Sequence, residues 1–154
     1  MYKKSFLSMA AIAALAVGLV SLTSTADAQR VKWKMHSAWS SSVPHLGTSA
    51  VRFSEVIERL SGGKFTMKFF EPGALIPANE GFDATSKGSI EAAWTTAGYD
   101  VGKVTALSFF TAVPFGPSIG EYLAWKKFGG GNDMEQEIYA EHGIKQIDCL
   151  AIGP

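Results

Sequence analysis

The side chains able to do chemistry are few and scattered. Histidine occurs only at His36, His45 and His142, and Cys149 is the single cysteine. No two histidines have the i,i+3 or i,i+4 spacing that turns both imidazoles toward one zinc ion. No serine lies in the G-x-S-x-G elbow of a serine hydrolase, and no pair of carboxylates stands out as general acid and base. "FGGGND" is glycine-rich but lacks the Lys-Ser/Thr ending of a phosphate loop, so its glycines read as a turn between helices. Cys149 cannot form an internal disulfide and reads as a buried structural thiol. The sequence therefore names no catalytic residue and no metal ligand.

A second set of residues has a different chemistry. Ser37, Trp39, Leu75, Thr96 and Tyr99 all fall just past segments that read as strands. Loops converge at the carboxyl ends of parallel strands, where a few polar groups on an apolar wall make a binding site. The Tyr99 hydroxyl is able to donate to a carboxylate while its ring forms a wall. Trp39 lies beyond the alternating strand and need not belong to the core. The plainer alternatives are that Trp39 covers the sheet edge and that Tyr99 packs on the surface.

The elements that must position these residues follow from periodicity. In "VKWKMH", Val31, Trp33 and Met35 alternate with Lys32, Lys34 and His36, which predicts a half-buried strand with Trp33 on its buried face. Leu46, Ala50, Phe53, Ile57 and Leu60 recur at steps of four and three, the apolar stripe of a helix ended by "SGG". "KFTMKFF" alternates again, so strand, helix and strand form a βαβ unit with parallel strands. "PANEGFDATSKGSI" predicts a second helix with Pro77 near its first turn and Gly88 at its end, and "SIEAAWTTAG" a third strand. After an irregular apolar stretch, Ser118–Phe128 and Met134–His142 read as helices, Asp133 capping the second. "GIKQIDC" begins like another strand and the chain then stops, as if cut. The fold class is α/β, a mostly parallel sheet flanked by helices.

Residues 1–28 form a secretory leader. Lys3 and Lys4 precede the apolar run Ala10–Leu22, and Ala26-Asp27-Ala28 offers small residues for cleavage after Ala28. The run is too short for a stable membrane span. The whole chain carries 14 basic and 14 acidic side chains, and losing Lys3, Lys4 and Asp27 leaves one acidic group in excess. Without a basic surface, nucleic acid is excluded as a partner. The expected compartment is the periplasm.

From the leader to its last residue the chain resembles the N-terminal part of TRAP transporter solute-binding proteins. "FFTAVPFG" at 109–116 with "GYDVGK" before it carries the resemblance. "KWKMHSAW", "RLSGGKFTMKFFEPGALIPANEGFDATSKGSIEAAW", "EYLAWKKFGGG" and "HGIKQIDC" support it in the same order. The resemblance implies a periplasmic-binding-protein-like lobe over residues 29–154, its second lobe truncated. It also implies a receptor that captures a small organic acid (a 2-oxo acid, lactate or a related carboxylate) and delivers it to a sodium-coupled membrane permease without chemistry. It carries Trp39, Tyr99 and Phe115 over as cleft residues; Ser37 joins them as a ligand-binding candidate from its place at the exit of the first strand. The arginine that pairs with the ligand carboxylate, and the residues that hold a cation beside it in some relatives, would lie beyond Pro154. Two departures stand out: Asp100 where many relatives have a second aromatic, and Leu150 where a glycine commonly follows the cysteine. Asp100 would repel a carboxylate unless it turns away or pairs with Lys103. The ligand's identity, a cation requirement and the oligomeric state are not fixed by these residues. An exported α/β hydrolase-type enzyme remains the alternative if a His/Asp/Ser set gathers at the strand exits. A ligand-free interaction module is the other, if Trp39 and Tyr99 are buried in the core.

Overall fold

The computed structural model describes residues 30–149, so the leader, its cleavage site and Leu150 lie outside the described residues. Three parallel strands make the sheet: β1 (Val31–Ser37), β2 (Phe65–Phe70) and β3 (Ala92–Trp94), in the order β2-β1-β3. Between β1 and β2 runs α1 (Leu46–Leu60), giving the anticipated βαβ unit; α2 (Gly81–Ser86) precedes β3. Two short 3-10 turns, Ala97–Tyr99 and Thr105–Phe110, lead to α3 (Ile119–Phe128) and α4 (Gly131–Ala140).

β1 departs from a simple half-buried strand. Met35, His36 and Ser37 are all buried, whereas Trp33 is 38% exposed. The cause is the short third strand: β3 pairs only with Met35, His36 and Ser37. The first half of β1 therefore has one neighbour, and Trp33 rests edge-on against Phe65 at 4.9 Å instead of entering the core. His36, expected on the polar face, lies under the 78–81 turn, with Nε2 3.4 Å from the Ala78 carbonyl.

The buried seam of α1 is Gly47, Ala50 and Ser54, one step round from the predicted stripe, and Leu60 is exposed at its end. Small residues let the helix approach the chain that leaves β1. A Cβ at Gly47 would sit 1.8 Å from the Ser40 carbonyl oxygen. Trp94, at the end of β3, fixes the start of α1 by donating its Nε1–H to the Leu46 carbonyl at 3.0 Å and packing on Phe53.

The second helix is shorter than "PANEGFDATSKGSI" predicted: Pro77 stays in the preceding turn, and Gly88, φ 68°, follows the helix end. Ser118 and Glu121 close a reciprocal capping box on α3. Gly130, at φ 84°, opens α4 three residues before the predicted Asp133 cap. Asp133 instead lies in the first turn, where its charge suits the helix dipole. Phe82, Ala97, Leu107 and Tyr139 make a buried cluster beneath the 3-10 turns.

Residues 144–149 pair with no strand among the described residues. They are held by side chains: Gln136 donates to the Ile144 carbonyl and accepts from the Gln146 amide. Lys126, itself buried against Glu135, bridges Asp148 at 3.0 Å.

Candidate functional site

Parallel strands bring their carboxyl ends to one edge, so the segments that leave β1, β2 and β3 meet there. β1 ends in a buried Ser37 whose hydroxyl donates to the Trp39 carbonyl at 2.7 Å and accepts from the Trp39 amide at 3.2 Å. Both bonds fold the chain back on itself immediately after the strand. The Ala38 amide donates to the Trp94 carbonyl at 3.0 Å, tying this turn to the end of β3. Ser37 is therefore committed to presenting Trp39, with its own hydroxyl satisfied.

Tyr99 arrives from the other side. Thr96 caps the 3-10 turn by accepting from the Gly98 amide, and Tyr99 closes it by donating its backbone N–H to the Thr96 carbonyl. Its ring lies 5.8 Å from Trp39, centroid to centroid, with the planes inclined by 37°. Tyr99 is 46% exposed and Trp39 half-buried. The structure thus joins two of the sequence's candidates into a two-ring wall facing outward at the strand exits, and neither ring is packed away in the core.

Phe115 is placed differently. It is fully exposed, 109% of its reference area, at φ 57°, in the loop between the second 3-10 turn and α3. That loop does begin against the Tyr99 turn. Thr111 packs so closely that a Cβ on Gly98 would meet its Oγ1 at 2.8 Å. Leu75 is exposed as well.

Asp100 turns inward, 1% exposed, and pairs with Lys103 at 3.6 Å. Burial raises its carboxyl pKa, and the nearby Lys103 only partly offsets that cost. The Asp100 Oδ2 is buried without a hydrogen-bond partner. Of the two outcomes open to this residue, the structure therefore combines both: turned away and paired. The wall beside Tyr99 is left without a protruding negative charge.

Glu71, which the motif reading did not single out, and Lys103, already noted as a partner for Asp100, complete the surroundings. Glu71, just past β2, accepts from both the amide and the hydroxyl of Ser41, two residues after Trp39. These bonds hold its carboxyl below the usual range. Lys103 bridges Asp83 at 2.7 Å and donates to the Asn79 carbonyl at 3.4 Å. The Asp83 partnership, opposed by burial, raises its ammonium pKa. The signal for both was present as a charged residue inside an otherwise apolar strand exit. Ser41 for Glu71, and Asp83 and Asn79 for Lys103, are distant in sequence, which no local pattern reveals.

Chemically, this arrangement offers two adjoining aromatic faces and the Tyr99 hydroxyl. Among the described residues no group of three or more His, Cys, Asp or Glu side chains is placed to hold a metal ion. At the strand exits the His36 ring meets the Ala78 carbonyl and the Ser37 hydroxyl bonds the Trp39 backbone, so neither is hydrogen-bonded to the other. The described residues therefore do not by themselves fit a cation site. A concavity of about 460 Å³ lies apart from the aromatic wall, lined by Phe109, Phe110, Val113, Tyr122 and Trp125 among others. Burial there and the negative side chains of Glu135 and Asp148 push the Tyr122 hydroxyl up to about 12.

Comparison with known proteins places these features in context. The family model for bacterial extracellular solute-binding protein, family 7, matches residues 35–153. A monocarboxylate 2-oxoacid-binding periplasmic protein from Nostoc sp. is 34% identical over 161 aligned residues, covering 99% of this chain and 43% of that protein. A TRAP transporter solute binding protein from Bordetella bronchiseptica, solved with copurified calcium and picolinate, superimposes with a TM-score of 0.70 at 32% identity. That match covers 74% of this chain and 34% of the other. A TRAP periplasmic solute binding protein from Pseudoalteromonas atlantica, with bound sodium and pyruvate, gives a TM-score of 0.71 at 26% identity, covering 75% and 35%. The chain thus spans less than half the length of these relatives.

Proposed function

The chain belongs to family 7 of the bacterial extracellular solute-binding proteins, and from that premise we propose that it supplies the N-terminal lobe of a periplasmic receptor for small organic acids. Residues 1–28 would be removed on export after Ala28, and residues 29–154 would form one face of a cleft closed by a second lobe. The receptor would hand its ligand to a sodium-coupled TRAP permease.

The observation that carries this reading is the Trp39–Tyr99 wall at the carboxyl ends of three parallel strands. Pyruvate and picolinate, bound by two of the relatives, are both flat monocarboxylates with an acceptor atom adjoining the carboxylate. A flat acid can lay its face on the indole of Trp39 while the Tyr99 hydroxyl donates to an oxygen. Phe115 would join the wall when the 111–118 loop meets the ligand or the second lobe, and Ser37 would act by setting the Trp39 turn. A cation beside the ligand, as sodium and calcium stand with pyruvate and picolinate in those relatives, would draw its ligands from beyond this lobe. A ligand touching both lobes would stabilise the closed form by its preference for that state.

The test is a thermal-shift and calorimetric screen of the two-lobe receptor against pyruvate, lactate and picolinate, with and without calcium or sodium. Saturable stabilisation by one of these carboxylates, weakened by Trp39→Ala, is the expected result. Indifference to all three under every cation condition would refute the organic-acid reading.

A further inference from the structure

Trp39 and Tyr99 come from different strand exits, and a wall made from two loops keeps its shape only if something fixes each loop. The same segment does both. Glu71, at its start, grips the amide and hydroxyl of Ser41 and so fastens the Trp39 loop. Asp83 and the Asn79 carbonyl, further along, hold the ammonium of Lys103 and so fasten the turn that carries Tyr99. Lys103 also reaches Asp100, the residue adjoining Tyr99, and lies 5.8 Å above the Phe82 ring. It makes these contacts while partly exposed, so its value lies in geometry more than in net ion-pair energy.

We propose that the connection from Glu71 to Asp83 is the hub that sets the aromatic wall, with Glu71 a positioning residue for Trp39 and Lys103 a positioning residue for Tyr99. The inference deepens the receptor reading and rests on it for its consequence in binding. Its geometric content stands independently. Removing the Lys103 ammonium, which holds Asp83, Asp100 and the Asn79 carbonyl, lets the Tyr99 turn drift from Trp39. The buried Asp100 then loses its cation, which pushes the turn to open further.

The test uses the processed chain labelled with 5-fluorotryptophan, whose Trp33, Trp39, Trp94 and Trp125 give separate fluorine resonances. Trp39→Phe assigns the resonance of interest. In Lys103→Met the Trp39 resonance should shift or broaden while that of Trp33, at the opposite end of β1, stays in place. Lys103→Arg should restore it, and Glu71→Gln should displace it independently. In the two-lobe receptor, Lys103→Met should weaken pyruvate about fivefold. An unmoved Trp39 resonance in both Lys103→Met and Glu71→Gln overturns the proposal. So does a collapse of all four resonances in Lys103→Met, since Lys103 would then support the fold as a whole. If the parent binds no pyruvate, the receptor reading falls, while the fluorine spectra still decide the hub.

Discussion

The rings of Trp39 and Tyr99 lie 5.8 Å apart at an inclination of 37°, although they leave the sheet from different strands. Rings this close touch each other and leave no slot for a ligand between them. Under the proposed function a ligand would lie across the pair. The pair is therefore a surface with a direction, facing away from the sheet, and its two members should not contribute equally. Trp39→Ala removes the larger flat face and should weaken carboxylate binding by the receptor about tenfold or more, on the order of 1.4 kcal/mol. Tyr99→Phe keeps the wall and removes one hydrogen bond, on the order of 1 kcal/mol. Calorimetric titration of the two variants separates these roles.

Gly47 is where α1 and the Trp39 loop come closest. A methyl group at this position would sit 1.8 Å from the Ser40 carbonyl oxygen, which belongs to backbone and cannot swing aside. Gly47→Ala should cost about 3 kcal/mol of stability and displace the loop. Gly120, in α3, has nothing within 4 Å of the same built atom. Gly120→Ala should instead stabilise by about 0.5 kcal/mol. Parallel urea titrations would read both signs.

Asp100 gives a pH dependence of known direction. Its pKa is raised on folding, by burial first, so protonation favours the folded state. That gain is fully present below the ordinary Asp value of 3.8 and is lost as pH rises through the raised pKa. Asp100→Asn should therefore raise the neutral-pH Tm by on the order of 2 °C, and its advantage should vanish as pH falls through the raised pKa. Glu71 and Asp83 work oppositely. Their pKa values are lowered by Ser41 and Lys103 respectively, so their contributions hold above the ordinary carboxylate range and fade as pH falls through the lowered values. Melting curves from pH 7 downward on both proteins check the crossing.

The buried pair Lys126–Glu135, with Asp148 as third member, ties the 144–149 segment to α3 and α4. Lys126→Met leaves Glu135 buried without its cation and should cost about 3–5 kcal/mol. Adding Glu135→Leu removes the stranded charge and should recover most of that loss. A double-variant stability measurement decides whether the stranded charge is the cause.

The sequence made the βαβ order legible because alternation in "VKWKMH" and "KFTMKFF", with a helical stripe between, leaves few other arrangements. It missed the exposure of Trp33 because that depends on the length of β3, a strand of three residues. The seam of α1 moved to Gly47, Ala50 and Ser54 because backbone contact, not side-chain bulk, decides the packing there. The 144–149 segment looked like a strand because Ile144 and Ile147 follow a glycine turn at Gly143. What occupies it is a set of long-range side-chain bonds from Gln136 and Lys126. At the site, Trp39 and Tyr99 were visible as aromatics beyond strand ends, whereas Glu71 and Lys103 act through partners that only the fold brings near. Asp100 was recognised as an anomaly; it turns inward and pairs with Lys103, which only partly offsets the cost of its burial.

The most direct test of the account is a pyruvate titration of the processed chain, carrying residues 29–154 alone, followed by the fluorine resonance of Trp39. One lobe offers the wall without the opposing contacts. A saturable shift of Trp39 in the millimolar range is expected, absent in Tyr99→Ala, with Trp33 and Trp125 unmoved. A Trp39 resonance indifferent to pyruvate would contradict the assignment of this surface as the ligand wall, and micromolar affinity would contradict its being only half of the cleft.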